Sequence, residues 1–203
     1  MTPCPVALSR DLPPGGVKRV FARGRELALW RGASGQVAAW DNRCPHRGMR
    51  LSHGFVRGDR LACLYHGWQY GTDGTCAHIP AHPELCPPAT IRATGCDAAE
   101  AGGVIWVAPE GYAAPPELPR GLVALRSLTF RCDAARLARI CGLEAAPVLY
   151  LPDHPSLVIL PNPLPGGQVE AHVLTAPLPA ADRVAAVHLT EALRRAAEAE
   201  ETA

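Results

Sequence analysis

Apolar positions in the first half of the chain fall in short runs separated by glycine-rich turns. Val17 to Phe21 and Glu26 to Trp30 read as strands around Arg23-Gly24, and Gln36 to Trp40 returns as a further strand from the Gly32–Gly35 turn. A short Phe55-Val56 strand follows, then Leu61 to Cys63, then Gln69-Tyr70 before a tight turn over Gly71–Gly74. Pro80 to Pro88 reads as an extended loop, and Gly103 to Val107 as an apolar strand that closes the unit. Many short strands at close spacing are an all-β signature.

The pattern then changes. Pro115, Pro116 and Pro119 cluster at a composition shift, which places a boundary close to residue 112 and gives domains over 1–112 and 113–203. In the second, Ala124 to Cys132 reads as a strand. Asp133 to Leu143 reads as a helix, with Asp133 as N-cap and Gly142 near its end. Ser156 to Leu160 and Val169 to Thr175 read as strands joined by a turn-rich Pro161–Gly167 loop. Asp182 to about Glu200 is an alanine-rich helix with Val184, Val187, Leu189 and Leu193 on its apolar face. Glu198, Glu200 and Glu201 oppose the helix dipole at its C-terminal end, so the last turn is expected to fray. The expected class is mainly β: a β domain of small antiparallel sheets, then a small α+β domain.

Composition narrows the partners more than the fold. A net charge of +1 over 203 residues gives no field for nucleic acid or for a membrane surface. No twenty-residue apolar run is present. The segment Met1-Thr2-Pro3-Cys4-Pro5 lacks a basic stretch leading into an apolar core, so a cytoplasmic location is expected. Eight cysteines in such a setting are expected mostly as free thiols, with Cys4, Cys76, Cys86, Cys96, Cys132 and Cys141 forming no Cys-x-x-Cys pair.

Two of the eight belong to the most informative stretch. Cys44-Pro45-His46-Arg47-Gly48 is followed, with sixteen residues between His46 and Cys63, by Cys63-Leu64-Tyr65-His66-Gly67-Trp68. Each segment offers one thiolate and one imidazole. A binuclear 2Fe–2S centre can take two Cys on one iron and two His on the other. A single zinc accepts the same four ligands, but zinc fingers pair Cys with Cys and His with His at close spacing. The mixed pairing therefore suits two irons better than one tetrahedral ion.

These segments, with Tyr70-x-x-Asp73-Gly74 and Ile79-Pro80, resemble the Rieske domain of ring-hydroxylating and related Rieske oxygenases over about the first 110 residues. The resemblance implies a 2Fe–2S cluster held by Cys44, His46, Cys63 and His66, in a cluster-binding subdomain of a Rieske-type β fold. Respiratory and photosynthetic Rieske proteins join an extra Cys from each loop in a disulfide, whereas the comparable positions here hold Met49 and Tyr65. Where those proteins place a Ser after the second ligand His, this chain has Gly67. Fewer donors to the sulfurs imply a low potential within the Rieske range. Arg47 and Arg50 offer either a basic rim for an acidic redox partner or internal ion pairs. Tyr65 and Trp68 are expected to flank His66 as apolar cover.

The resemblance also implies what the second domain lacks. Rieske oxygenases bind a mononuclear iron there through two His and a carboxylate. This chain has no His-x4-His, and its second part is short for such a domain, as in a truncated relative of the catalytic domain. Asp153, His154, Glu170, His172, Asp182 and His188 are the residues left for an atypical iron site. The expected function is one-electron transfer as an oxidoreductase component. Its expected partners are a reductase or ferredoxin donor, a catalytic partner subunit and further copies in an oligomer. The alternative is a dioxygenase-like terminal oxygenase with an atypical iron.

Overall fold

The short apolar runs pair into three antiparallel sheets in a computed structural model that describes residues 3–108 and 114–199. The strands, in order, are β1 (Cys4–Leu8), β2 (Val17–Ala22), β3 (Arg25–Arg31), β4 (Val37–Asp41), β5 (Phe55–Arg57), β6 (Arg60–Ala62) and β7 (Gln69–Gly71). They continue as β8 (Cys76–His78), β9 (Gly95–Ala101), β10 (Val104–Ala108) and β11 (Val123–Phe130). After helix α1 (Ala134–Ile140) come β12 (Leu149–Tyr150), β13 (Leu157–Leu164), β14 (Gln168–Thr175) and helix α2 (Ala180–Ala199). The fold is mainly β, with a small α+β region after residue 113. Among the described residues, no helix is long and apolar enough to cross a membrane.

The first sheet runs β1-β10-β9-β4-β3-β2 and forms the base. Its β2–β3 hairpin closes through Arg23 and Gly24, both at positive φ, as a two-residue turn requires. The small sheet β5-β6-β7-β8 stands on this base and carries the two segments of interest at its rim. Four strands escaped the sequence pattern: β1, β9 and the short β8 and β12. β9 reads GCDAAEA, with no branched or aromatic residue, and is held by β10 on one side and β4 on the other. β1 contains Pro5 and pairs with β10 at the sheet's edge, through a register shift between Pro5 and Ala7.

The third sheet, β11-β14-β13-β12, is buried on both faces. Leu157, Ile159, Val169, Ala171 and Val173 meet the helices, while Val158, Leu160 and Leu174 pack with Leu8, Val104 and Trp106 of the base sheet. This double burial explains the unbroken apolar run Leu157–Leu160. Polar contacts stitch the same seam: the Arg10 guanidinium donates to the carbonyls of Ala124 and Leu125, and Asn162 Nδ2 to that of Phe21. The boundary expected near residue 112 lies outside the described residues.

Two local expectations are corrected. The stretch expected as a turn-rich loop from Pro161 is strand as far as Leu164. β12 pairs only with Val158 and Ile159, so beyond them β13 has a free edge where proline forgoes no ladder bond. On α2, Val184 is 55% exposed, and the buried positions are Ala186, Thr190 and Ala197, with Leu189 and Leu193 packed beside them. Small side chains let this helix sit close on the sheet, so its buried face is written in alanine rather than valine. Glu198 does not hang free: Arg194 Nη1 donates to it at 2.7 Å. Glu200 and Glu201 lie outside the described residues. Asp133 caps α1 as expected, accepting from the Arg136 N–H at 2.7 Å.

Candidate metal centre

The two Cys/His segments fold into the same turn, nineteen residues apart. Cys44 N–H donates to Met49 O at 2.8 Å and Gly48 N–H to Cys44 O at 2.8 Å. In the second loop, Cys63 N–H donates to Trp68 O at 2.9 Å and Gly67 N–H to Cys63 O at 3.0 Å. Gly48 and Gly67 occupy equivalent places, at φ +71° and +69°, where a side chain is strained. The repeat of hydrogen bonds is closer than the sequence suggests, because the histidine is one place later in the second loop.

Each turn buries its cysteine and sends its histidine outward. Cys44 and Cys63 are 3% and 2% exposed, over an apolar cluster that includes Trp30, Trp40, Leu51, Leu61, Tyr70 and Ile79. His66 is exposed and His46 partly so, with their ring centroids 4.7 Å apart. Trp68 lies flat on His46, at 4.1 Å and 5° between planes, so it covers the first histidine rather than the second. Tyr65 does sit against His66, at 4.0 Å, but is itself 59% exposed.

The electrostatics follow from this layering. Burial pushes the Cys63 thiol above its ordinary pKa, and the neighbouring Cys44 adds to the rise, while the backbone N–H groups of Tyr65 and His66 pull the other way. Burial lowers the pKa of His46, followed by repulsion from His66 and Arg47. The Tyr70 hydroxyl lies 3.1 Å from Cys44 Sγ, and towards a thiolate the phenol is the donor. Sequence reasoning counted fewer donors to the sulfurs and missed this one, which comes from β7 across the loop. Beneath the first loop, Asn42 is 2% exposed and ties the turn down. It donates to Glu26 Oε1 and Ser52 Oγ, both at 2.8 Å, and accepts from Ser52 N–H at 2.7 Å.

A single tetrahedral ion draws its donors to one point. Among the described residues, no three His, Cys, Asp or Glu side chains converge in that way. A bridged two-iron centre asks for two protein donors on each side. A buried pair of sulfurs beside an outer pair of imidazoles is such a donor set.

The residues left for a mononuclear iron are divided by the third sheet. Glu170 and His172 come together on the face turned to the base sheet, His172 Nε2 lying 3.9 Å from Glu170 Oε2. His172 is fully buried, with Nδ1 2.8 Å from Ser127 Oγ. His154 and Asp182 line a cavity of about 260 Å³ on the helix-covered face, while Asp153 and His188 are exposed. Arg50 pairs internally with Glu26 at 3.0 Å. Among the described residues the remaining cysteines form no disulfide, with Cys76 and Cys132 buried and Cys86 exposed.

The Rieske [2Fe-2S] domain family matches residues 2–92. Oxidoreductase NdmD of Pseudomonas putida is 46% identical over 104 residues, covering 50% of this chain and 18% of that protein. The 3-chlorobenzoate-3,4-dioxygenase oxygenase subunit of Comamonas testosteroni is 37% identical over 57% of this chain and 27% of its own length. The chain thus spans under a third of the length of these relatives. In architecture it is similar to NdmA of Pseudomonas putida CBB5 solved with caffeine. That match has a TM-score of 0.76 and 18% identity, over 97% of this chain and 80% of the other.

Proposed function

Because residues 2–92 are a Rieske [2Fe–2S] domain, we propose that this chain carries single electrons in an oxygenase-type oxidoreductase system. Cys44 and Cys63 hold one iron and His46 and His66 the other; by resemblance to the family, through Nδ1. The observation that supports this most is the repeated turn, which gives both loops one hydrogen-bonded frame with cysteine inward and histidine outward.

When bound, the cluster supplies a one-electron couple centred on the histidine-ligated iron. The chain's own groups set its surroundings. Tyr70 O–H and the backbone N–H groups of the second loop favour charge on the sulfurs, and the apolar cluster around the cysteines keeps water from them. His66 is exposed, so the histidine side of the centre meets solvent. A reductase or ferredoxin supplies the electron, and a catalytic partner subunit consumes it, within an oligomer. NdmD being named an oxidoreductase, and the Comamonas protein an oxygenase subunit, is consistent with a domain used on either side of such a chain.

A second reading, a terminal oxygenase in its own right, rests on the Glu170–His172 pair, of which the histidine is fully buried. Metal analysis separates the two. About two irons and two acid-labile sulfides per chain are expected of the carrier. A third, mononuclear iron would favour the oxygenase. Zinc without sulfide would overturn both.

A further inference from the structure

The two loops present chemically different surfaces. Around the second, Leu64 and Tyr65 are 54% and 59% exposed. Beside the first lies a groove of about 880 Å³, whose walls include Arg25, Arg43, Arg50 and Arg92 and whose floor reaches Cys44 and Gly48. We propose that this groove is the docking surface for an electron-donor protein with an acidic face. The proposal rests on the electron-carrier reading above and adds where the donor binds and by what chemistry.

The charges in the groove are unevenly answered. Arg25 bonds Asp41 Oδ1 at 2.7 Å and Arg50 meets Glu26 Oε1 at 3.0 Å, so those two pairs are closed. Arg92 Nη2 donates to the Asp73 carbonyl at 3.0 Å, and its charge is partly answered by the Asp73 carboxylate, which it helps to hold below its ordinary pKa. Among the described residues, no carboxylate is paired with Arg43, or with Arg47 on the adjoining exposed turn. The groove therefore keeps a positive field along the flank of the first loop, although the whole chain is nearly neutral. With two of its guanidinium groups already held by carboxylates, it forms no closed cage for a small anion. A broad, partly answered positive surface instead suits carboxylates spread over a protein partner, where charge speeds encounter more than it deepens affinity. Electron-transfer encounters are small, transient contacts of this kind. Docking here would bring a donor to the backbone of Cys44, leaving the apolar rim and the exposed edge of His66 clear for an acceptor.

The test is stopped-flow reduction of the cluster-loaded protein by a pre-reduced plant-type ferredoxin with a strongly acidic surface, with dithionite as the small reductant. The variant Arg43→Glu/Arg47→Glu is compared with Arg183→Glu/Arg195→Glu on α2, which changes net charge equally. At low ionic strength, the ferredoxin rate of the first variant should fall about tenfold or more, and should approach wild type near 1 M salt, where screening is nearly complete. The α2 variant should keep the wild-type rate, and near 1 M salt, where the attraction of the anionic dithionite to the arginines is screened, dithionite should reduce all three alike. An unchanged ferredoxin rate, or an equal loss in the α2 variant, would overturn the docking surface. Equal slowing by dithionite at that salt would overturn it too, by showing damage to the centre rather than to docking. Wild-type protein with no visible absorption for dithionite to bleach would instead remove the electron-carrier reading.

Discussion

Gly48 and Gly67 hold the same place in the two loops, so an alanine at each makes a matched comparison. Both would have to keep a left-handed backbone, at φ +71° and +69°, costing roughly 1–2 kcal/mol for any residue with a Cβ. Their surroundings differ. A Cβ on Gly48 meets nothing nearer than Arg43 Nη2 at 3.7 Å, the far end of a flexible side chain. On Gly67 it would lie 3.0 Å from Pro80 Cγ, a rigid ring that follows the buried Ile79. Relieving that contact means shifting the loop against the second turn, which adds about 1 kcal/mol or more. Gly48→Ala should thus cost about 1–2 kcal/mol and Gly67→Ala about 2–3. With a urea slope of roughly 2 kcal/mol per molar, the second variant should unfold about 0.5 M earlier than the first. Tryptophan fluorescence can follow unfolding, and visible absorption can follow cluster loss. Equal midpoints, or a larger loss in Gly48→Ala, would refute the reasoning that Pro80 presses on the second turn.

Tyr70→Phe removes the hydroxyl 3.1 Å from Cys44 Sγ. If that bond favours the reduced centre by roughly 1 kcal/mol, the potential should fall by about 40 mV, at 59 mV per tenfold for one electron; redox titration with an unchanged midpoint would remove Tyr70 as a donor. Asn42→Ala gives up three hydrogen bonds of 2.7–2.8 Å and leaves Ser52 N–H without its acceptor. A loss of about 2–3 kcal/mol is expected in denaturant unfolding, with faster cluster loss, and a loss below about 0.5 kcal/mol would show that Asn42 does not pin the first loop. Burial, followed by repulsion from Lys18, pushes the His172 pKa down to about 4. The unfolded chain takes up a proton near the ordinary value of about 6.5, whereas the folded chain resists until about pH 4. Stability should therefore fall as pH drops through that window, by roughly 3 kcal/mol. His172→Gln should flatten this acid limb, and an unaltered limb would place its cause elsewhere.

The candidate ligands were legible because the chemistry restricts residue type and the turn restricts spacing: a Cys and a His per loop, each with a glycine where the backbone turns left-handed. Strands such as β3 and β14 were legible from their branched and aromatic residues. β9 was not, since its Gly-Cys-Asp-Ala-Ala-Glu-Ala run carries no strand preference and is shaped by its neighbours. The buried face of α2 was misread for a related reason: Ala186 and Ala197 matter through the closeness they permit, while Val184 faces solvent. Around the site, the misses are contacts between distant segments. Tyr70 reaching Cys44, Trp68 stacking on His46 rather than His66, and Asn42 tying Glu26 to Ser52 depend on how β3, β7 and the loops are brought together.

The ligand set is tested most directly by pulsed EPR of the one-electron-reduced protein. Imidazole coordination of the reduced iron is expected to give hyperfine couplings from two histidine nitrogens. His46→Cys should lose one of them while keeping the other, from His66. A reduced centre without nitrogen coupling, or one whose two couplings survive that substitution, would contradict the assignment of sulfur to one iron and imidazole to the other.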